Sequence, residues 1–189
     1  MPRNFMFSRE EIVSAALDLT REKGFSAVSA RSLGEKLGTS SRPIFGRFQN
    51  MAEVQAAIIA AANEVYQSYL KKEMSEGKYV KYKASGMAYI RFAKEEKELF
   101  KLLFMRDRTN EENPDSPEEI DSLVDIICKQ INISREDAYF FHIEMWVYVH
   151  GIASMIATGY LNWDEELASR AVTDAYEGIK MRFESKQNQ

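Results

Sequence analysis

Two short amphipathic segments lie close together in the stretch GFSAVSARSLGEKLGTSSRPIFGRFQN, residues 24–50. Ser29 precedes the first segment as a predicted helix N-cap, and Leu33 and Leu37 recur at the four-residue spacing of one helix face. Gly38 ends this segment after about two helical turns. A helix this short is unstable alone, so the pattern predicts packing against a neighbouring helix.

The second segment begins at the predicted cap Thr39-Ser40 and contains Pro43 in its first turn, where a missing N–H leaves no helical bond unmade. Ile44 and Phe48 are its predicted inward pair. The remaining residues are left for the outer surface, namely Ser41, Arg42, Phe45, Gly46 and Arg47.

A longer helix is predicted directly upstream, between Ser8 and Gly24. Ser8 and Glu11 have the spacing of a capping box, and Gly24 is a typical stop. Its apolar face is formed by Ile12, Ala16 and Leu19. Three short helices, with a glycine turn between the second and third, predict a helix-turn-helix head over residues 1–50, in which the third helix can enter the major groove of DNA.

The charge distribution fits a protein that touches DNA with one end. The whole chain has a net charge of −4, but residues 1–50 contain 8 Lys and Arg against 5 Asp and Glu. Arginine can donate two hydrogen bonds to a guanine edge, and helix N-termini present free amides to phosphates. From the pattern alone, an ordinary helical bundle with surface arginines remains an alternative.

The spacing of both turns and of the third-helix anchors resembles the head of the tetracycline-repressor family over roughly residues 8–54. The resemblance implies a homodimer, a DNA operator with two half-sites and control by a ligand. Arg31, Ser41 and Arg42 match positions that the family uses for DNA. Phe45 replaces a usual phosphate-contacting tyrosine, Arg47 a histidine, and Met51 a lysine. The candidate DNA-binding residues are therefore Ser29, Arg31, Ser40, Ser41, Arg42, Phe45, Gly46 and Arg47.

The rest of the chain, residues 51–189, is predicted to be a helical body for ligand binding and dimerisation, which gives an all-α fold of about nine helices. Helical patterns cover residues 51–74, 82–95, 97–106 and 117–131, then run from Ser134 to about Tyr160 and onward from Asp164. Residues 107–117 form a predicted polar surface loop. Trp146-Val147-Tyr148-Val149-His150-Gly151 resembles a Trp-x-x-x-His-Gly signature of one C-terminal subgroup of the same family.

Two sites are predicted in the body. Aromatic and Met residues could line a pocket for an apolar or aromatic molecule, with a cationic ligand favoured if Glu144 is partly buried; ordinary core is the alternative. These residues are Met87, Ile90, Phe100, Phe104, Phe141, Glu144, Met145 and Tyr148. Small residues on the last two helices permit close helix approach in a dimer, or in an intrachain pair. They are Gly151, Ser154, Thr158, Ala168, Ala171 and Ala175.

Other function classes find little support. The single cysteine, Cys128, excludes a disulfide within the chain, which suits a reducing cytoplasm. His142 and His150 are about 12 Å apart by helical rise, too far to share a metal within one subunit. We find no catalytic motif, cofactor motif or membrane-spanning run, and expect none.

The sequence thus predicts a cytoplasmic, ligand-responsive DNA-binding regulator, probably best described as a homodimeric repressor on a pseudo-palindromic operator, and not an enzyme. A ligand-binding or protein-interaction module with weak or no specific DNA binding is the alternative, because Phe45 and Met51 lack polar groups that commonly meet phosphate.

Overall fold

Eight α-helices form the chain in a computed structural model, which describes residues 6–107, 109 and 117–187. The predicted all-α class is confirmed. Within the described residues, two 3₁₀ helices supplement the α-helices, at Phe25–Ala27 and Ile44–Gly46. The α-helices are α1 Arg9–Lys23, α2 Ala30–Lys36, α3 Met51–Glu76, α4 Lys81–Glu95, α5 Lys97–Phe104, α6 Pro117–Ile131, α7 Arg135–Ala157 and α8 Glu165–Gln187.

The described residues divide into two compact units. The first unit contains the residues up to Gln67 together with Glu96–Arg106, and the second contains Ser68–Glu95 and the residues from Asp107 onward. The predicted boundary between residues 50 and 51 stays a prediction. The greater part of the predicted loop at 107–117, residues 110–116, lies outside the described residues.

The first unit is built on α1, whose start follows the predicted capping box. The Ser8 hydroxyl accepts a hydrogen bond from the Glu11 amide at 3.1 Å, and the Glu11 carboxylate accepts one from the Ser8 amide at 2.7 Å. Gly24 ends the helix with a φ of 80°, a conformation that favours glycine. The predicted inward face of α1 is confirmed, because Ile12, Ala16 and Leu19 are buried.

The third segment of the head differs from the helix predicted there. Ile44 and Phe48 are buried as predicted, but only Ile44–Gly46 is helical, and it is a 3₁₀ helix. The amides of Gly46 and Arg47 bond to carbonyls three residues back, at 3.2 and 3.0 Å. Pro43 cannot donate, so this short segment has too few donors for a four-residue ladder and closes by the tighter pattern. We call residues 41–48 the 41–48 turn.

Helix α5 packs against α1 and against the 3₁₀ helix Phe25–Ala27, although the sequence suggested that it belongs with the body. Its apolar face supplies Leu99, Phe100 and Leu102 to the core of the first unit. Arg21 of α1 donates to both oxygens of Glu96, at 2.8 and 2.9 Å. This pairing fixes the residue that precedes α5.

The second unit is arranged around α7, which packs against α4, α6 and α8. Ser134 caps α7 by accepting a hydrogen bond from the Asp137 amide at 3.1 Å, as predicted. Helix α7 is also the one described helix that is long and apolar enough to cross a membrane by length and composition, with a mean hydropathy of 1.2 over its best window. The central helix of a water-soluble bundle has the same composition.

Candidate nucleic-acid interface and ligand region

A tight glycine-dependent turn joins α2 to the 41–48 turn. Gly38 has a φ of 68°, and the Thr39 amide donates to the Gly34 carbonyl at 2.9 Å. A Cβ on Gly34 would lie 3.0 Å from the Ser40 carbonyl carbon and from the Thr39 oxygen. The absence of side chains at these two positions therefore permits the backbone to pass close over α2.

Helix α2 presents its N-terminus and one arginine to solvent. Ser29 and Ser32 form a reciprocal cap, in which each amide donates to the other hydroxyl, at 2.9 and 3.1 Å. Arg31 is 90% exposed and pairs with Glu35 at 2.9 Å. Both candidate residues on this helix, Ser29 and Arg31, are accessible to a large partner.

The 41–48 turn exposes most of its predicted outer face. Ser40, Arg42 and Gly46 are exposed, and the Phe45 ring is 45% exposed, while Ser41 is half-buried. Arg42 forms no ion pair or hydrogen bond among the described residues. Its guanidinium is the one on this turn that is accessible for a new partner.

Arg47 occupies a different environment. It is half-buried, and its Nε donates to the Phe7 carbonyl at 2.9 Å, which ties the residue before α1 to the 41–48 turn. Arg9 strengthens the same junction: its Nη1 donates to the Arg47 carbonyl at 3.1 Å and to Glu53 at 2.7 Å. The sequence analysis missed these contacts, because they join residues about 40 positions apart and leave no periodic signal.

The start of α3 continues this junction. The Asn50 side chain accepts a hydrogen bond from the Glu53 amide at 2.9 Å, and Glu53 accepts one from the Gln49 amide at 2.7 Å. The Gln49 amide, followed by Arg9, lowers the pKa of Glu53. Glu53 therefore remains charged and holds both the beginning of α3 and the end of the 41–48 turn.

The eight predicted pocket residues fall in several places. Met87 and Ile90 line a cleft of about 170 Å³ in the second unit, with Arg91, Lys94, Glu95, Trp163, Asp164, Glu165 and Ala168. We call it the α4–α8 cleft. Phe100 and Phe104 belong to the first unit, where their rings lie 5.3 Å apart. The sequence analysis missed Trp163 and the charged lining residues, because no local pattern brings them to Met87.

The other predicted pocket residues lie on α7, outside the lining of that cleft. Phe141 and Met145 are buried, and the Phe141 ring packs against Tyr176 with a centroid distance of 5.3 Å. Glu144 is half-buried and forms a two-point ion pair with Arg182. Tyr148 is exposed. A pocket that includes these residues stays a prediction.

Two family models match separate parts of the chain. One describes bacterial regulatory proteins of the tetR family and matches residues 12–58; the other describes a tetracyclin repressor-like C-terminal domain and matches residues 82–175. Together they take in most of the chain, in the order of the two predicted domains.

The chain belongs to the TetR family. It is therefore a ligand-responsive transcriptional regulator, in a family that is generally non-enzymatic. A TetR-like transcriptional regulator from Rhodococcus sp. RHA1 has a similar crystal structure, with a TM-score of 0.65 and 15% sequence identity, over 93% of this chain and 97% of that chain. At this identity the likeness concerns the fold alone. A search of curated protein sequences found no match.

Both histidines of this TetR-family protein pair with tyrosines of α4. His142 Nδ1 lies 3.1 Å from the Tyr82 hydroxyl, and His150 Nδ1 lies 2.8 Å from the Tyr89 hydroxyl. Trp146 stacks on His150, with centroids 5.3 Å apart. Burial lowers the pKa of His150, which favours its neutral form. A structural role explains the Trp and His of the proposed signature, whose subgroup meaning stays a prediction.

The predicted interface residues of this TetR-family chain differ in exposure. Thr158 is exposed, and Ala168 is buried at the α4–α8 cleft. The other four are half-buried: Gly151, Ser154, Ala171 and Ala175. Gly151 is open on its side-chain side, since an added Cβ would contact nothing within 4 Å.

Proposed function

We propose that the protein is a homodimeric repressor that binds a pseudo-palindromic DNA operator through its two heads. The observation that carries this proposal is the exposed Arg42, held on a turn whose close backbone path depends on Gly34 and Gly38. Two heads related by a two-fold axis would meet half-sites one helical turn, about 34 Å, or more apart. Catalytic activity is not part of this proposal, and the cytoplasm is the compartment where such an operator lies.

Within the head, we assign base reading to Arg42 and phosphate contact to Arg31, Ser29, Ser40 and Ser41. The exposed Phe45 and Gly46 would pack along the sugar-phosphate chain. Either outward arginine of the 41–48 turn could read bases on sequence grounds. The hydrogen bond from Arg47 to the Phe7 carbonyl favours a positioning role for Arg47 and leaves base reading to Arg42.

Binding of two arginine variants to the operator tests this division. Arg42→Ala should weaken operator binding by about 1–3 kcal/mol and relax the base preference at one position of each half-site, if Arg42 pairs with guanine. Arg47→Ala should lower the free energy of unfolding, because Phe7 loses its donor, and weaken binding without changing base preference. Binding selections on a randomised operator measure both. Unchanged affinity and base preference for Arg42→Ala would overturn the assignment.

The dimer proposal rests on an unpaired apolar face of α7 and α8. Residues 147, 151, 154 and 158 share one face of α7 at helical spacing. Val147 is 59% exposed and Leu167 of α8 is 44% exposed, beside small residues that allow close approach of helices. A second copy would bury this face in a four-helix bundle.

Replacing Gly151 by arginine tests this interface without harming the helix, since glycine is a poor helix former and the site is open. Gly151→Arg should convert the dimer to monomer in sedimentation velocity and reduce operator affinity. Lys129→Glu, an exposed change on α6, should remain dimeric. A Gly151→Arg protein that remains dimeric at the same concentration would show that the interface lies elsewhere.

A module that binds ligand but no specific DNA is the second candidate, favoured by the missing polar groups at Phe45 and Met51. Titration of DNA from the region upstream of the gene decides between them. A repressor should bind one fragment specifically, with an affinity that falls steeply as salt rises. Equal, weak binding to all fragments at low salt would favour the module.

A further inference from the structure

The α4–α8 cleft combines an apolar floor with a charged rim. Met87, Ile90 and Ala168 are each at most 4% exposed and form the floor, and Trp163 stands on one side. The volume of about 170 Å³ is close to that of an apolar cavity that holds one benzene ring, about 150 Å³. The cleft therefore fits a single ring or a short branched alkyl group.

Carboxylates outnumber cations at the rim. Glu95, Asp164 and Glu165 line the cleft, against Arg91 and Lys94. Behind Arg91 lies a further carboxylate, Glu73, whose side chain is 1% exposed. The rim and its support therefore have a net negative charge, which attracts a cation to an apolar site where screening by water is reduced.

Both cations of the rim are already engaged by the protein. Arg91 pairs with Glu73 at 2.8 Å and with Glu165 at 3.3 Å, and the Lys94 ammonium donates to the Trp163 carbonyl at 2.9 Å. Glu165 receives two shorter hydrogen bonds, from Lys78 at 2.6 Å and from Tyr79 at 2.8 Å. An anionic ligand would have to displace one of these protein carboxylates or the carbonyl.

The acceptors are less fully used than the donors. Within the part of the chain that the structure describes, Glu95 accepts a hydrogen bond at Oε2 alone, from Tyr69, and Asp164 at Oδ1 alone, from the Leu167 amide. The second oxygen of each has no protein partner. Independently, Oε1 of the buried Glu73 lacks a hydrogen-bond donor. The group around the cleft therefore lacks donors and positive charge.

We propose that the α4–α8 cleft binds a small organic cation, with a ring or branched alkyl group on the apolar floor and its ammonium group at Glu95 and Asp164. Trp163 offers an aromatic face to the same cation. The inference rests on the ligand-responsive function and gives that function a site and a ligand class. Because Asp164 caps α8 and Glu165 lies in its first turn, occupancy acts directly on the start of α8.

Three probes of equal size and different charge test the class: benzylamine, benzyl alcohol and benzoate. Titration calorimetry and ligand-observed NMR on the full-length protein measure binding at pH 7. Benzylamine should bind more tightly than benzyl alcohol, and benzoate should bind least. Chemical-shift changes at the Trp163 indole should accompany benzylamine binding. Tightest binding of benzoate, equal binding of all three, or no benzylamine binding at millimolar concentration would overturn the proposal.

Matched acid-to-amide variants locate the site. Glu95→Gln and Asp164→Asn should each weaken benzylamine binding about five-fold, as expected for loss of one close charge near the protein surface. Asparagine at position 164 still caps the helix, so α8 should remain intact. Glu166→Gln, an exposed neighbour outside the cleft lining, should bind benzylamine like the wild type. Equal affinities for all four proteins would overturn the site.

The operator titration separates this inference from the proposed function. A protein that binds operator DNA but not benzylamine retains the function and refutes the cleft. A protein that binds benzylamine at the cleft but no specific DNA supports the cleft and refutes the repressor.

Discussion

Gly34 permits the close approach of the backbone on which the DNA-facing turn depends, so Gly34→Ala tests the geometry of the head directly. The added Cβ would lie 3.0 Å from two backbone atoms, the Ser40 carbonyl carbon and the Thr39 oxygen. Backbone atoms cannot rotate away as a side-chain end can. Forcing a methyl group into such a contact costs about 1–3 kcal/mol.

The same substitution also has a favourable part, because alanine is better than glycine in a helix interior by about 1 kcal/mol. We therefore expect a net loss of roughly 0.5–2 kcal/mol in the free energy of unfolding of the Gly34→Ala protein. Gly178→Ala is the matched control, since Gly178 lies within α8 and a Cβ there would contact nothing within 4 Å. That control should gain up to about 1 kcal/mol.

Urea denaturation of both variants and the wild type, at one protein concentration, measures the difference. Operator affinity should also fall for Gly34→Ala, because Arg31 and Arg42 lie on opposite sides of the displaced turn in the sequence. If Gly34→Ala is as stable as Gly178→Ala, the close approach described here does not constrain the head, and the reasoning fails.

Two further predictions concern single charged side chains. Arg31→Ala should weaken binding uniformly across DNA sequences and reduce the slope of log affinity against log salt by about 1, whereas Glu35→Gln should strengthen binding; a changed base preference for Arg31→Ala would contradict a phosphate contact. Burial raises the pKa of Glu73 above its ordinary 4.5, so the native state holds this proton more tightly than the unfolded state. The stability of the wild type relative to Glu73→Gln should therefore fall as pH rises from 4.5. Urea denaturation of both proteins over that range measures it, and a pH-independent difference would contradict the raised pKa.

Local chemistry explains why the helices of the head could be predicted. The capping box of Ser8 and Glu11, the glycine stop at Gly24 and the inward pair Ile44 and Phe48 each depend on residues no more than four positions apart. Such short-range rules leave a visible pattern in the sequence. The 3₁₀ form of the third segment was not predicted, because periodicity alone does not count the hydrogen-bond donors that remain around a proline.

Long-range pairings left no such pattern. The sequence indicates that Arg47 is accessible on an outer face, but its bond to the Phe7 carbonyl joins positions 40 residues apart. In the same way, Met87 and Ile90 were predicted to line a pocket, while Trp163 and its neighbours on the opposite side were not. Their meeting depends on the packing of α4 against α8, which no local rule encodes.

The size of the α4–α8 cleft limits how it can control DNA binding. Ligand sites for drug-sized molecules commonly have volumes of about 300–1,000 Å³, and this one has about 170 Å³. Moving a two-state equilibrium from 1:99 to 99:1 requires a differential affinity of about 5.5 kcal/mol, more than a single-ring amine gains in so small a site. A strong effector must therefore be larger than the probes and must displace a wall of the cleft. Trp163 and Glu165 form the wall next to the first turn of α8, so the contact that enlarges the site is also the contact that moves the helix.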